Sequence, residues 1–124
     1  MAMLVQLHDG VAVKKFPLKK TSLRIGRNPD SDVFIDEAVV STNHAVVEAL
    51  DEQGTLVYYI EDLNSTNSTF VNGEPISRQR LNHNDVIRIG WNSFKFIEET
   101  RTAKQRTSKI YKSWIPRVFY TKEE

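Results

Sequence analysis

The chain has 124 residues, of which 40% are hydrophobic and 27% are charged, and its formal net charge is +1. This balance is typical of one folded, soluble domain and excludes a largely disordered chain. The sequence contains no cysteine, which excludes a disulfide framework, a thiol nucleophile and a cysteine-based zinc site, and it favours a cytoplasmic location.

The apolar segments are short. No run approaches the roughly 20 residues of a membrane-spanning helix. Residues 1–10 lack the basic start and the long apolar stretch of a signal peptide. We therefore expect neither a membrane span nor secretion.

The predicted strands are short, and turn signals separate them about every 8 to 12 residues. Asp9-Gly10 and Asn72-Gly73 are strong signals for two-residue hairpins, and a further turn is expected at residues 51–54. No helical stripe is present between them. This pattern predicts an all-β antiparallel sandwich or barrel. The predicted strands cover residues 3–7, 11–16, 22–26, 45–50, 56–61, 69–71, 74–76, 86–89 and 93–97.

The charges divide the chain into two regions. Residues 1–99 contain 10 Lys or Arg and 14 Asp or Glu, a net charge of −4, whereas residues 100–124 contain 7 and 2, a net charge of +5. This change predicts a domain over residues 1–99 followed by a basic, aromatic-containing extension over residues 100–124. The start of the extension is compatible with a helix, which Pro116 would end, so we expect the extension to be partly helical.

Several roles for the extension remain open. It could pack on its own domain or on a neighbouring chain, serve as a linker, or bind nucleic acid or an anionic membrane through its basic and aromatic side chains. Self-association is a further hypothesis, in which a phosphorylated threonine of the extension docks on a neighbouring copy. The candidate threonines are Thr100, Thr102, Thr107 and Thr121.

The sequence does not predict an enzyme. His8, His44 and His83 are scattered without the spacing of a metal site. Ser41 and His44 are close in sequence, but no G-x-S-x-G turn surrounds the serine. There is no P-loop and no G-x-G-x-x-G segment. We therefore expect no catalytic residue, no cofactor, no metal and no small-molecule substrate.

Three predicted loops instead carry polar side chains that suit a phosphate group. Gly26-Arg27 ends one strand, residues 41–44 precede a second, and residues 65–67 precede a third. Loops at one end of a sandwich cluster together. Their arginine, hydroxyl and amide groups could then bind a phosphorylated side chain, because phosphate offers three strong acceptor oxygens to such donors.

Four segments together resemble the forkhead-associated (FHA) domain family. They are IGRNPDSDVFI, STNHAVVE, IEDLNSTNSTFVNGEPI and LNHNDVIRIG, and the resemblance extends over roughly residues 4–98. It implies an eleven-stranded β-sandwich that binds phosphothreonine peptides through its loops. The expected partner is a protein phosphorylated on threonine by a Ser/Thr protein kinase, in a signalling interaction.

The resemblance also implies individual roles for residues of this chain. Arg27, Ser41 and Thr66 would contact the phosphate, and Asn67 would bind the peptide backbone beside it. His44 would brace the loop that carries Ser41. The supporting residues are Gly26, Thr42, Asn43, His44, Ser65 and Asn72.

The chain departs from the family pattern at several positions. Many members have arginine where this chain has Thr42, and glycine is common at the positions of Asn64, Ser68 and Asn84. The resemblance thus predicts a locally different loop and a weaker phosphate contact. A phosphate-independent protein-interaction module is the alternative that these departures leave open.

Overall fold

A computed structural model describes residues 2–98, which form eleven strands and no helix. The strands are β1 (Ala2–His8), β2 (Val11–Pro17), β3 (Ser22–Gly26), β4 (Val33–Phe34), β5 (Ala45–Glu52), β6 (Thr55–Asp62), β7 (Thr69–Val71), β8 (Glu74–Ile76), β9 (Arg78–Arg80), β10 (Val86–Ile89) and β11 (Asn92–Glu98). They build two sheets, with the orders β2-β1-β11-β10-β7-β8 and β4-β3-β5-β6-β9. The predicted sandwich is therefore confirmed. The predicted extension and its partly helical character lie outside the described residues.

The hairpin turns follow from local residue chemistry. Asp9-Gly10, Gln53-Gly54 and Asn72-Gly73 each place two successive residues at positive φ, between 51° and 86°. This is the backbone of the two-residue turn that matches the twist of paired strands, and a glycine in each pair adopts it without steric cost. The three turns set the register of β1 with β2, β5 with β6, and β7 with β8.

The core lies between the two sheets because apolar side chains alternate along their strands. Ile87 and Ile89 of β10 are fully buried, as are Phe94 and Phe96 of β11. The Phe96 ring lies 5.4 Å from the ring of Tyr58 on the opposite sheet. Such an arrangement buries enough apolar surface to stabilise a domain of this size without disulfides.

Nine of the eleven strands match predicted segments, and two were missed. β4 has only two residues, too few to show an alternation, and it runs parallel to β3. This pair is parallel because the chain after Gly26 loops back and pairs again in the same direction, whereas the other strand pairs of residues 2–98 are antiparallel, as predicted. β9 is Arg-Gln-Arg and fully exposed. It is a strand only because it pairs with the edge of β6.

The register of the second sheet brings three loops to one end of the sandwich. Ile25 near the end of β3 pairs with Ala45 at the start of β5, and Ala45 also pairs with Asp62 at the end of β6. The loops over residues 27–32, 35–44 and 63–68 consequently leave the sheet side by side. Within residues 2–98 no helix has the length and apolarity needed to cross a bilayer.

Candidate functional site

Arg27 is held at the end of β3 by its backbone. Its N–H donates to the carbonyl of Ser41 at 3.0 Å, and the N–H of Asn28 donates to the carbonyl of Thr42 at 3.0 Å. Gly26 makes this close approach possible, since a Cβ there would overlap the carbonyl oxygen of Thr42. The side chain of Arg27 is exposed, and no carboxylate of residues 2–98 lies within ion-pair distance of it. Its guanidinium can therefore bind a ligand with its donors.

Ser41 joins two of the loops. Its hydroxyl oxygen accepts a hydrogen bond from the N–H of Thr66 at 3.1 Å, while its own N–H donates to Nδ1 of His44 at 3.1 Å. Because a hydroxyl both accepts and donates, the Ser41 hydroxyl keeps its proton for an external acceptor. The bond from Thr66 fixes the position of that oxygen.

His44 is completely buried behind these loops. Its Nδ1 accepts from Ser41, so its Nε2 carries the proton and donates to the carbonyl of Ser68 at 2.9 Å. The neutral imidazole thus connects the loop before β5 with the loop before β7. Its burial places it inside the loop cluster and away from any ligand.

The loop over residues 63–68 has a demanding backbone. Asn64 and Ser68 adopt φ of 57° and 69°, the left-handed geometry that the family's glycines predicted at these positions. Asn tolerates this conformation better than Ser, for which it costs about 1 to 2 kcal/mol. The loop keeps this shape because neighbouring elements support it.

Asp62 supplies part of that support. Its carboxylate accepts hydrogen bonds from the N–H of Ser65 at 3.0 Å, from the Ser65 hydroxyl, and from the buried Thr69 hydroxyl at 2.7 Å. Burial of the carboxylate acts to raise the pKa of Asp62, but the hydrogen bonds from Ser65 and Thr69 outweigh it and lower that pKa below its ordinary value. The ionised form of Asp62 therefore holds the start of the loop to the start of β7.

Thr66 and Asn67 lie at the exposed top of this loop. The Asn67 side-chain amide donates from Nδ2 to the carbonyl of Val39 at 2.9 Å. This bond orients the amide and leaves its Oδ1 as an acceptor for a backbone N–H. The Thr66 hydroxyl is exposed beside it.

The remaining supporting residues differ in position. Thr42 and Asn43 are exposed on the loop that follows Ser41. Asn72 instead ties the β7–β8 turn to β10: its amide donates to Asp85 at 3.0 Å and accepts from the N–H of Val86 at 2.9 Å. The structure thus brings together the loops of Arg27, Ser41, Thr66 and Asn67, and it places Asn72 at the other end of β7, in the turn before β8.

A second depression adjoins Asn67, and the sequence did not predict it. It is lined by Val39, Asn67, Arg88, Gly90 and Trp91. Gly90 has φ of 60°, and a Cβ there would crowd Glu37 and Val40, so the β10–β11 turn packs tightly against the loop before β5. Trp91 is 82% exposed. An exposed tryptophan in a tight turn is the sequence signal that could have indicated this surface.

Arg88 borders the same depression in a fixed orientation. Its guanidinium stacks over the ring of Phe70 at 4.1 Å and donates to the carbonyl of Gly90 at 3.3 Å. Stacking on an aromatic ring and donation to a carbonyl restrict its rotation.

Hydrogen-bonding groups dominate the loop end of the sandwich. Hydrogen-bond donors and exposed polar groups are fixed on three connected loops, and residues 2–98 contain no group of three His, Asp or Glu side chains arranged to hold a metal ion. A β-sandwich with such an end is a loop-based module for binding an anionic group.

Comparison with known proteins identifies the family to which this β-sandwich belongs. The family profile of the FHA domain matches residues 23–90. The chain is 34% identical over 102 residues to the oxoglutarate dehydrogenase inhibitor of Corynebacterium jeikeium, a match that covers 82% of this chain and 68% of the relative. The chain belongs to the forkhead-associated domain family.

Solved structures agree with this assignment. The structure of Mycobacterium tuberculosis EmbR in complex with a low-affinity phosphopeptide is similar, with a TM-score of 0.69 and 38% identity over 82% of this chain and 25% of the EmbR chain. An FHA domain solved in an analysis of phosphothreonine-dependent FHA domain interactions has a TM-score of 0.69 and 32% identity, covering 82% of this chain and all of that one. This chain therefore matches only a quarter of EmbR.

Proposed function

We infer that this protein is a signalling module that binds a peptide containing phosphothreonine on a partner protein. The observation that carries the proposal is the hydrogen-bond network of Ser41. It joins the loop of Ser41 to Thr66 on one side and to Arg27 on the other, through the Ser41 hydroxyl and carbonyl. The FHA neighbours solved with a phosphopeptide or in phosphothreonine-dependent interactions support the same function.

The roles follow from the chemistry of each side chain. Arg27 offers a planar fork of donors to two phosphate oxygens. Ser41 donates its hydroxyl proton, and the exposed Thr66 hydroxyl adds a further contact. Asn67 accepts from a peptide N–H through Oδ1 while its amide stays bonded to Val39.

Titration of a phosphothreonine peptide tests the role of Arg27. A charge-assisted hydrogen bond contributes about 1.5 to 3 kcal/mol, so Arg27→Ala should weaken binding roughly 10- to 150-fold. Arg24→Ala is the matched control, because Arg24 is also exposed on β3. Calorimetry compares the affinity of the phosphothreonine peptide for wild type and for both variants. The unphosphorylated peptide, titrated into wild type, gives the phosphate dependence. Equal affinity of wild type and Arg27→Ala would reject the site.

The partner is proposed only by its chemistry. We expect a protein phosphorylated on threonine by a Ser/Thr protein kinase, and a regulatory binding role without catalytic activity. The family consists of binding modules, and the corynebacterial relative is named as an inhibitor. A pull-down with wild type and Arg27→Ala, with and without phosphatase, would identify the partner. The cytoplasmic location, the domain edge at residue 99 and self-association through residues 100–124 stay predictions.

A further inference from the structure

A groove at the start of β3 is lined by positively charged and apolar residues. Lys15, Lys19 and Lys20 line it, together with Phe16, Pro17, Ser22, Leu23 and Asp32. β3 rises about 3.3 Å per residue, so this groove lies roughly 15 Å from Arg27 at the other end of the strand. Apart from Asp32, which ends the loop over residues 27–32, it is therefore a different surface from the loops of the proposed phosphothreonine site.

The lysines of the groove stand on a fixed backbone. In the β2–β3 connection, the N–H of Leu18 donates to the carbonyl of Ala2 at 2.9 Å, and the carbonyl of Thr21 accepts from the N–H of Ala49 at 2.8 Å. Lys19 and Lys20 lie between these two anchors and are exposed. Their position is thus set by the fold, while their charged ends remain in solvent.

The charge of the groove is not neutralised by the domain itself. Among residues 2–98, no carboxylate lies within ion-pair distance of Lys15, Lys19 or Lys20. Asp32 also lines the groove, and its Oδ2 already accepts the N–H of Arg24 at 2.8 Å. The lining therefore combines three lysines with one carboxylate and several apolar residues.

We propose that this groove binds a short acidic segment of a partner protein. Aspartate and glutamate side chains complement the three lysines, and apolar side chains between them would pack on the half-buried Phe16 and Pro17. A short segment contacts only the groove, whereas a nucleic acid or an anionic membrane would also face a domain whose residues 1–99 have a net charge of −4. The surface thus selects a local acidic partner over an extended polyanion.

The test is fluorescence anisotropy with the full chain and a short labelled peptide of alternating aspartate and leucine. The double variant Lys19→Glu, Lys20→Glu should reduce affinity by about tenfold or more, because two attractive charges become repulsive. The variant should also gain binding to the matching peptide of alternating lysine and leucine. Wild-type affinity should fall as salt is raised.

Lys104→Glu, Lys109→Glu is the matched control, because it changes the total charge equally within residues 100–124. It should retain most of the affinity for the acidic peptide. An equal loss in both double variants would overturn the proposal, since it would show non-specific attraction. The proposal would also be overturned if duplex DNA or anionic vesicles bound more tightly than the peptide and their binding depended equally on Lys19 and Lys20.

The remaining explanation is that the lysines only keep this surface hydrated. In that case wild type would not bind the acidic peptide, which would also overturn the proposal. Binding of the phosphothreonine peptide by both double variants, measured in parallel, confirms that they are folded. If the acidic peptide does not bind to the groove, binding of the phosphothreonine peptide is still expected, so the two proposals are tested separately.

Discussion

Three hairpin turns and the loop over residues 63–68 place residues at positive φ in different ways. In the turns after β1, β5 and β7 the left-handed residues include Gly10, Gly54 and Gly73, and a Cβ built at each meets no atom within 4 Å. In the loop over residues 63–68 the left-handed residues are Asn64 and Ser68. The turns obey local chemistry alone, whereas the loop depends on contacts from outside it.

The outside contacts are specific. His44 reaches the carbonyl of Ser68 from the start of β5, and Asp62 holds Ser65 and Thr69 from the end of β6. Strained backbone persists where its surroundings support it, and such positions concentrate at functional sites. Contacts from neighbouring elements, rather than its own residue types, therefore shape the candidate binding loop.

Removal of the buried histidine should have the largest effect. His44→Ala leaves the N–H of Ser41 and the carbonyl of Ser68 without a partner and creates a cavity, so we expect a loss of about 3 kcal/mol or more in the free energy of unfolding. Urea denaturation followed by tryptophan fluorescence measures it. His8→Ala, at a side chain that is 80% exposed, is the control. A loss below about 1 kcal/mol would contradict the role assigned to His44.

Removal of the Ser41 hydroxyl should affect binding more than folding. Ser41→Ala loses a donor to the phosphate and the acceptor for the N–H of Thr66, so phosphothreonine-peptide affinity should fall roughly 10- to 150-fold. Thr55→Ala serves as the control, because it removes the hydroxyl of an exposed threonine at the start of β6, at the opposite end of that strand from Asp62. If Thr55→Ala weakened binding as much as Ser41→Ala, the assignment of Ser41 would be wrong.

Relief of strain at Ser68 should produce a smaller gain. Glycine avoids the cost of about 1 to 2 kcal/mol for a left-handed residue but loses about 0.5 to 1 kcal/mol through backbone entropy. Ser68→Gly should therefore stabilise the domain by up to about 1.5 kcal/mol, measured by urea denaturation. Gly54→Ser, in a hairpin turn, should have the opposite sign. Destabilisation by Ser68→Gly would show that the serine side chain itself supports the loop.

The smallest expected effect is a pH dependence at Asp62. Its pKa is lowered in the folded protein, so the carboxylate stabilises the fold above the ordinary value of 3.8 and loses this contribution as pH falls through the folded pKa. The stability difference between wild type and Asp62→Asn should consequently shrink below about pH 4. Asp9→Asn, at a 90% exposed side chain, is the control. A difference that is constant between pH 7 and pH 3 would refute the linkage.

Much of the fold was predictable from local pattern. The bounds of β3, β7, β8 and β10 match the predicted segments, because alternating apolar residues and turn pairs such as Asn72-Gly73 act over a few residues. β9 was not predictable. Its three polar residues have no strand pattern and become a strand only through the neighbouring edge of β6.

The candidate site was predictable in a different way. The spacing of Gly26-Arg27, Ser41 and Thr66-Asn67 identified the loops through the family resemblance. It did not reveal that Thr66 donates its N–H to Ser41, or that Asn67 uses its amide on Val39. Trp91 and Arg88 were missed because they are distant in sequence from the motif and reach Asn67 only through packing of the β10–β11 turn.

Residue periodicity, turn chemistry and motif order are local properties of the sequence, and they suffice to predict the class of fold, the hairpin turns and the family. Tertiary packing is needed to tell which polar groups are exposed at the site and which hold the loops together. Arg27 and His44 are both polar and both adjoin the strands that carry the site, yet one is exposed and the other is buried with both ring nitrogens bonded. That distinction depends on how residues distant along the chain pack against one another.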